Sequence, residues 1–276
     1  MNDIQEQYRG LLSSLVYGGK PKKDRTGVGT RSVFGRILRH NMAKGFPLLT
    51  TKKIYFEHAI TELLWILNGR SDMEYLRSNG VSYWDADYNR SGRTDGTLGP
   101  VYGVQWRNFN GVDQIRKLIR DIKKDPSSRR LIVNAWNAAD IDDMALPPCH
   151  YGFQIYINDG KIDLMWNQRS ADVFLGLPYD FAIYGLLLVM LAKGTDYKPG
   201  ELIASLGDCH LYNNHIDQAK EQLSRDFREL PFVSVDWGLD VVEGAGGHLR
   251  IPTKDMVNIS DYNPHPPIKA ELNVGI

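Results

Sequence analysis

A single cysteine follows two prolines in residues 146–150, which read Leu-Pro-Pro-Cys-His. The prolines force an extended or turning backbone, and Cys149 lies where the next predicted strand begins. A cysteine there can point into a cavity and act as a nucleophile, provided that nearby positive charge favours its thiolate. It can equally be a small buried hydrophobic residue, and the local sequence leaves both interpretations open.

Arginines that could supply this charge lie in three segments. Arg129 and Arg130 are adjacent between a predicted helix and a predicted strand, where they form either a solvated turn or a bidentate clamp for a phosphate. Arg169 lies in a Gln-Arg-Ser tripeptide, and Arg25 lies in a glycine-containing loop. The glycines of that loop match neither the phosphate-binding P-loop nor the dinucleotide fingerprint, which excludes the standard forms of both.

Other polar residues flank an apolar stretch further along the chain. Asp172 and Asp180 bracket a segment with Gly and Pro, and Asp180 precedes an apolar helical pattern, so its local interpretation is a helix N-cap. His210 and Tyr212 offer hydrogen-bonding groups. One Cys–His pair is weak support for a metal, and the zinc deaminase pattern is not met, so we predict no metal site.

The elements that must position these residues show both helical and strand-like periodicity. Helices are predicted at residues 56–67, 112–122, 180–193 and 214–224. Strands are predicted at residues 30–38, 131–136, 151–157, 162–166 and 232–236. Asn-Asp-Gly at 158–160 predicts a hairpin turn between two of the strands. Hairpins mixed with helices favour an α/β (α+β) fold with a mixed layout over pure βαβ alternation.

Composition excludes several classes of protein. The 276 residues include 33 basic and 33 acidic ones, so no whole-chain field attracts a nucleic-acid backbone and DNA binding is not expected. Two cysteines cannot build a disulfide scaffold, which favours a reducing compartment and a cytoplasmic protein. The N-terminus lacks a signal-peptide pattern, and the longest apolar stretch, 181–192, is too short for a membrane span. No linker divides residues 1–276, which we predict to form a single domain.

A series of motifs, in a fixed order, makes the chain resemble the thymidylate synthase family over nearly its whole length. They are Asp-Arg-Thr-Gly at 24–27, Glu-Leu-Leu-Trp at 62–65, Leu-Gly-Pro-Val-Tyr-Gly at 98–103, Ser-Arg-Arg at 128–130, Pro-Cys-His at 148–150, Gln-Arg-Ser at 168–170, Asp-Val-Phe-Leu-Gly-Leu-Pro at 172–178, Asp-Cys-His-Leu-Tyr at 208–212 and Asn-Pro-His-Pro at 263–266. The resemblance implies a large mixed β-sheet flanked by helices, with the sheets of two subunits packing across a homodimer.

The resemblance also implies covalent catalysis on a pyrimidine deoxynucleotide monophosphate. Cys149 matches the thiolate that adds to C6, so that C5 can attack the one-carbon unit of 5,10-methylenetetrahydrofolate. Arg169 matches the side chain that stabilises the thiolate and the phosphate. Tyr102 matches the residue that helps to remove the C5 proton, and Glu62 matches the acid that organises water and proton transfers.

Binding residues are carried over from the resemblance position by position. The nucleotide site comprises Arg25, Arg129, Arg130, Gln168, Ser170, Asp172, Asp180, His210 and Tyr212. The folate site comprises Lys52, Trp84, Asp172, Leu175, Gly176, Tyr179 and the terminal Ile276. Arg129 and Arg130 are implied to reach across the interface into the partner's site, which predicts an obligate homodimer with shared sites.

The departure with the clearest chemical meaning is Asp180. Thymidylate synthases have Asn here, whose amide accepts from N3–H of uracil and donates to O4. A carboxylate has no donor for O4, and an unmet buried polar group costs ~1–3 kcal/mol. Cytosine presents an amino donor at C4, and a proton that Asp180 shares with N3 would stabilise the negative charge created by attack at C6. The family's deoxycytidylate hydroxymethylases carry Asp at this position and add water in place of hydride.

The sequence therefore predicts catalytic roles for Cys149, Glu62, Tyr102, Arg169 and Asp180 in dCMP 5-hydroxymethylation. The nearest alternatives are a thymidylate synthase and a dUMP or CMP 5-hydroxymethylase. The polar departures either order water near the intermediate or are drift, and they are Tyr55, Tyr83, Asn167 and Tyr179. An inactive nucleotide- or RNA-binding homologue is disfavoured because binding needs no nucleophile. Hydroxymethylated nucleotides suit a bacteriophage that modifies its DNA, and the enzyme would then work in the host cytoplasm.

Overall fold

The computed structural model describes residues 4–242 and 247–273. The predicted folate-site residue Ile276 lies outside this part of the chain. The helices in it are α1 (Ile4–Gly18), α2 (Phe56–Leu67), α3 (Met73–Ser78), α4 (Asp85–Arg90), α5 (Tyr102–Arg107), α6 (Gln114–Lys124), α7 (Leu177–Gly194) and α8 (Ile216–Leu223). The strands are β1 (Lys20–Lys22), β2 (Thr30–Asn41), β3 (Ile132–Asn134), β4 (His150–Asn158), β5 (Lys161–Asp172), β6 (Lys198–Tyr212), β7 (Phe232–Val235), β8 (Asp240–Val242), β9 (His248–Arg250) and β10 (Val257–Ser260).

A six-stranded mixed sheet lies at the centre, in the order β1-β2-β6-β5-β4-β3. Neighbouring strands are antiparallel except β5 and β6, which are parallel. A parallel pair needs a crossover connection, and α7 supplies it. The predicted α/β class, with a large mixed sheet flanked by helices, is confirmed. Two smaller two-stranded sheets pair β7 with β10 and β8 with β9.

The predicted hairpin turn joins β4 to β5. Asp159 and Gly160 both have positive φ, at 49° and 70°, as the tight turn of a two-residue hairpin requires. The antiparallel register then runs back from the pair Asn158 and Lys161. This turn matters for the site because it sets which residues of β5 lie opposite the start of β4.

Helix α7 is the apolar core helix that the sequence predicts, and it packs on β5, β6 and α2. It spans 18 residues, more than the predicted 180–193, because it begins at Leu177 and accommodates Pro178 in its first turn, where no N–H is needed. By length and composition it could cross a membrane, but 78% of the relevant window is buried inside the protein. The burial is what a central core helix requires.

Several elements differ from the predictions, and helix α1 was not predicted at all. Strand β6, the longest described strand, was also not predicted, because Gly207, Asp208 and His210 interrupt its apolar periodicity. The predicted helix at 112–122, which becomes α6, began too early. The side chain of Asp113 accepts a hydrogen bond from the Arg116 N–H at 3.0 Å, so the N-cap is Asp113 and the exposed Val112 precedes the helix.

Candidate active site

The parallel pair β5–β6 brings two polar segments to the same end of the central sheet, where both strands have their carboxyl ends. In the register of this pair, Ser170 lies opposite Asp208 and Asp172 lies opposite His210. Strand β4 starts directly after Cys149, and its first residue, His150, pairs with Gln168. Three strand ends thus gather most of the polar residues singled out in the sequence around the cysteine.

Cys149 is partly buried in a loop that is held on both sides of the residue. Its backbone N–H donates to the Tyr102 hydroxyl at 2.8 Å, and its carbonyl accepts from the Arg169 N–H at 2.8 Å. The Arg169 guanidinium also donates to the carbonyls of Pro148 at 2.9 Å and Pro147 at 2.8 Å, which leaves Nη2 3.9 Å from Sγ of Cys149. Arginine and sulfur are therefore neighbours, as predicted.

The charge balance at Cys149 is less favourable to a thiolate than a simple Cys–Arg pair suggests. Burial raises the pKa of the Cys149 thiol; Arg169 and Arg25 lower it, whereas Asp180 and Asp87 raise it further. Burial and the two acids outweigh the arginines, so the thiol form is favoured in the protein without ligands. The sequence analysis did not single out Asp87, which accepts from Arg90 at 2.7 Å.

The structure corrects the N-cap interpretation of Asp180. Gly176 is the N-cap of α7, and Asp180 lies inside the first turn with its own N–H bonded to the Gly176 carbonyl at 3.1 Å. The earlier start of the helix, made possible by Pro178, moves the carboxyl group away from the helix end. Its side chain does not cap the helix and points towards β4 and β5.

The Asp180 carboxyl group is only 13% exposed and touches both strands. Its Oδ2 accepts from Gln168 Nε2 at 2.9 Å, and its Oδ1 lies 3.9 Å from His150 Nε2. Burial raises the pKa of this carboxyl to about 7; the Gln168 hydrogen bond lowers it, and the charges of Glu62 and Asp172 raise it. Asp180 can therefore hold or release a proton at neutral pH.

Two buried aromatic groups beside Asp180 escaped the sequence analysis. His150 stacks on Tyr102 with ring centroids 4.2 Å apart, and its Nδ1 is 2.8 Å from the Tyr184 hydroxyl. Burial lowers the pKa of His150 to about 3, so its ring is neutral. A polar residue that interrupts an apolar helix one turn after Asp180 was the available signal for Tyr184. Burial raises the pKa of Tyr102 well above its usual value.

Glu62 of α2 is a buried carboxyl group with a donor on each oxygen. Trp84 Nε1 donates to Oε1 at 2.9 Å, and the Tyr83 hydroxyl donates to Oε2. Burial raises the pKa of Glu62, and the two donors oppose that rise. Trp84 is only 7% exposed and packs against Trp65 and Tyr102, so most of its ring is covered by protein.

The turn between β5 and α7 holds two of the predicted folate residues, Leu175 and Gly176, and Asp172 and Lys52 are fixed beside it. Asp172 Oδ1 accepts from the N–H groups of Phe174 and Leu175 at 3.0 and 3.1 Å, which fixes the carboxylate. Lys52 is buried against the same turn, donates to the Phe174 carbonyl and lies over the Phe174 ring at 3.7 Å. Burial lowers the pKa of Lys52 to about 7. Gly176 is the N-cap of α7, Tyr179 lies in its first turn, and the Tyr179 hydroxyl accepts from the Tyr55 N–H at 3.4 Å.

Some of the remaining predicted residues lie at this end of the central sheet, and the others lie elsewhere. His210 and Tyr212 lie on β6 with ring centroids 5.3 Å apart. Arg25 is exposed in the loop before β2 and acts electrostatically on Cys149 and Asp87. Arg129 and Arg130 are exposed between α6 and β3, and their backbone atoms bond Gln154 and Ser128, residues outside the predicted site.

The site suits covalent chemistry on a polar ring. It combines a partly buried sulfur beside an arginine, a buried acid that titrates near neutrality and a further carboxylate fixed by backbone donors. A sequence model described as Thymidylate synthase matches residues 6–274. Because the match covers nearly all of its length, the chain belongs to the thymidylate synthase family, whose enzymes use methylenetetrahydrofolate for methyl transfer to C5 of a pyrimidine nucleotide.

Proposed function

We propose that this enzyme hydroxymethylates dCMP at C5, with 5,10-methylenetetrahydrofolate as the one-carbon donor. The observation that carries the proposal is the buried carboxyl group of Asp180, which stands where the synthases that act on uracil have an amide. Its position between Gln168 and His150, the residue directly after Cys149, suits a group that reads the pyrimidine ring.

Cytosine matches this carboxyl group better than uracil does. Oδ2 already accepts from Gln168, so a proton on the carboxyl group belongs on Oδ1. A carboxyl group that accepts from the 4-amino group and shares one proton with N3 satisfies cytosine. The pKa of Asp180 near 7 lets it keep that proton at neutral pH and pass it towards N3 as Cys149 attacks C6.

The covalent steps use the groups around the cysteine. A bond forms between Sγ of Cys149 and C6, and the displaced electron pair makes C5 nucleophilic. Folate, when bound, supplies a one-carbon unit at the level of formaldehyde. Once C5 has bonded to that carbon, Tyr102, with its hydroxyl at the Cys149 loop, helps to remove the C5 proton. Loss of this proton, with tetrahydrofolate as the leaving group, leaves an exocyclic methylene on the ring. Addition of water to that carbon, with release of Cys149 from C6, gives the hydroxymethyl group without any hydride transfer.

Glu62 and Tyr83 form the proposed water-binding side of the site. Glu62 carries one donor on each oxygen, and the Tyr83 hydroxyl adds a polar group where apolar side chains are common in the synthases. Each atom retains a lone pair for water. This arrangement supports hydration of the methylene carbon over its reduction.

The binding roles follow the positions of the side chains. Asp172 Oδ1 is occupied by two backbone donors, which leaves Oδ2 to accept from the N–H groups of a pterin ring. The other folate residues are proposed to be Lys52, Trp84, Leu175, Gly176, Tyr179 and Ile276. Arg25, Arg169 and Ser170 are proposed to hold the phosphate, and His210 and Tyr212 the sugar hydroxyl.

We also propose a homodimer that shares its sites. Large apolar side chains remain exposed on strands of the central sheet, including Phe34 at 83%, Ile37 at 67% and Tyr156 at 60%. Apolar surface of this kind marks an interface. Arg129 and Arg130 are exposed, and their hydrogen bonds to Gln154 and Ser128 use backbone atoms, which is consistent with service of their guanidinium groups in the partner's site.

Mixing two inactive variants is expected to restore activity if the sites are shared. One chain carries Cys149→Ala, and the other carries Arg129→Ala with Arg130→Ala. Random reassociation makes half of the dimers mixed, each with one intact site, so about a quarter of wild-type activity returns. The control places all three substitutions on one chain and mixes it with itself. No recovery from verified mixed dimers would contradict the shared site.

The proposed reaction is tested by offering dCMP and dUMP separately with methylenetetrahydrofolate. We expect dCMP to gain CH₂O, measured by mass spectrometry, while the folate product is tetrahydrofolate and not dihydrofolate. The carboxyl group of Asp180 should reject dUMP by at least about tenfold in kcat/KM. Conversion of dUMP alone to dTMP, with dihydrofolate formed, would show a thymidylate synthase and overturn the proposal.

A further inference from the structure

We infer that the stacked pair Trp166–Tyr184 positions the base-reading carboxyl group by aiming one N–H donor at each oxygen of Asp180. Neither residue belongs to the nucleotide or folate sites described above. The inference rests on the proposed role of Asp180 and adds two positioning residues that act through Gln168 and His150.

The first donor is the side-chain amide of Gln168, whose orientation is fixed by its neighbours. Trp166 Nε1–H donates to Gln168 Oε1 at 3.0 Å, and an indole nitrogen can only donate. The oxygen of the amide must therefore face Trp166. Its Nε2 then donates to Asp180 Oδ2 at 2.9 Å and to the Ser170 carbonyl at 3.0 Å. The reverse orientation would set donor against donor at Trp166.

The second donor is the ring of His150, and Tyr184 decides which nitrogen carries the proton. Because His150 is neutral, its ring has one N–H. Among the described residues, the hydrogen bond of the Tyr184 hydroxyl is to His150 Nδ1, at 2.8 Å. A buried hydroxyl needs an acceptor, so Tyr184 is assigned as the donor and the ring proton is placed on Nε2. That N–H faces Asp180 Oδ1 at 3.9 Å, too far for a hydrogen bond but close enough to act as a dipole.

One rigid aromatic unit holds both donors. The rings of Trp166 and Tyr184 are stacked with centroids 5.0 Å apart and an interplanar angle of 3°, and both side chains are fully buried. Phe181 and Phe153 contact the pair edge-on. Packing of this kind fixes side-chain rotamers, so the directions of the two N–H groups are set before a ligand arrives.

The two donors oppose the negative charges near the carboxyl group. The acids that disfavour its charge are Glu62 and Asp172, and the further titratable groups that interact with it are Cys149, Tyr83, Tyr102 and Tyr184. Burial likewise raises the pKa of Asp180. The aimed N–H groups therefore keep the carboxyl proton exchangeable at neutral pH, where the proposed chemistry needs it.

Ligand binding in a Cys149→Ala background removes the thiol nearest to Asp180 from the titration, which leaves Asp180 and Lys52 as the groups with a pKa near 7. The raised pKa means that Asp180 is protonated below about pH 7 and ionised above it. A cytosine that needs one shared proton should bind with proton uptake above that pH, and its affinity should fall by about tenfold for each further pH unit. Calorimetry with dCMP, in buffers of different ionisation enthalpy, measures both quantities.

Trp166→Phe and Tyr184→Phe each keep an aromatic ring and delete one polar hydrogen. We expect each to raise the midpoint of the pH dependence by at least about half a pH unit, since one donor to the carboxylate is weakened. Trp106→Phe is the matched control. Trp106 packs near Tyr184 and Phe153 in the same cluster, but its indole N–H has no hydrogen-bond partner within the described residues, so its loss should leave the midpoint unchanged.

A fourth variant, Asp180→Asn, separates the two levels of the inference. If it retains the wild-type midpoint, Asp180 is not the titrating group and the proposed base reading fails. If Asp180→Asn abolishes the pH dependence but Trp166→Phe and Tyr184→Phe keep the wild-type midpoint, only the role of the aromatic pair is overturned. The phosphate of dCMP titrates alike with every variant, and Tyr184→Phe, which removes only an oxygen, remains informative should Trp166→Phe fail to fold.

Discussion

Cys149→Ala is expected to abolish turnover, by at least about 10⁴-fold, while dCMP still binds. The proposed chemistry needs a bond to C6 before C5 becomes nucleophilic, and the other cysteine, Cys209, has a fully buried side chain in β6. The loop should survive the change, because its contacts with Tyr102 and Arg169 use the backbone of residue 149 and the neighbouring carbonyls. Steady-state rates, together with equilibrium binding of dCMP, measure the two effects separately.

Cys209→Ala is the matched control, since Cys209 is the second cysteine of the chain. It is buried in β6, and burial raises its pKa to about 12. Its loss should change turnover only a few-fold, through packing. Substantial turnover by Cys149→Ala, or comparable losses in both variants with folding intact, would refute a covalent role for Cys149.

Asp180→Asn is expected to reverse the choice of base. An asparagine amide accepts from N3–H of uracil through its oxygen and donates to O4 through its nitrogen. The site would gain a permanent donor for O4 of uracil and lose the shared proton for N3 of cytosine. Two mismatched polar contacts change the dUMP/dCMP ratio of kcat/KM by roughly 100- to 10,000-fold.

Asp172→Asn makes the same chemical change at the end of β5, on a carboxylate held by backbone donors. It should weaken the use of folate and change the ratio between the two nucleotides far less than Asp180→Asn does, because it alters only the charge near Asp180. An unaltered ratio in Asp180→Asn, measured with competing substrates, would show that the base is read elsewhere.

Much of the site could be predicted because its chemistry is local in sequence. Cys149 beside two prolines, the Gln-Arg-Ser tripeptide and the two aspartates around the β5–α7 turn each form a short motif, and the structure places them together. The hairpin at Asp159 and Gly160 followed from turn chemistry alone. The carboxyl substitution at Asp180 was visible as a single departure from the family pattern.

The missing parts depended on contacts between distant segments. The start of α7 at Leu177 was hidden because Pro178 can stand either before a helix or within its first turn, and the N-cap interpretation of Asp180 failed with it. Trp166 and Tyr184 look like ordinary core residues until the strand register and the helix rotation bring Gln168 and His150 beside them. Likewise, no local pattern reports that burial outweighs two arginines at Cys149.

The parallel pairing of β5 and β6 also has a consequence for how the enzyme folds. The two strands can meet only after the chain has closed a long crossover through α7, which is entropically costly and slow compared with the adjacent β4–β5 hairpin. The same pairing aligns Asp172 with His210 and Ser170 with Asp208. A folding intermediate that has only the hairpin therefore has Cys149 and Arg169 near each other but lacks a nucleotide pocket, so ligand binding during refolding should report closure of the crossover.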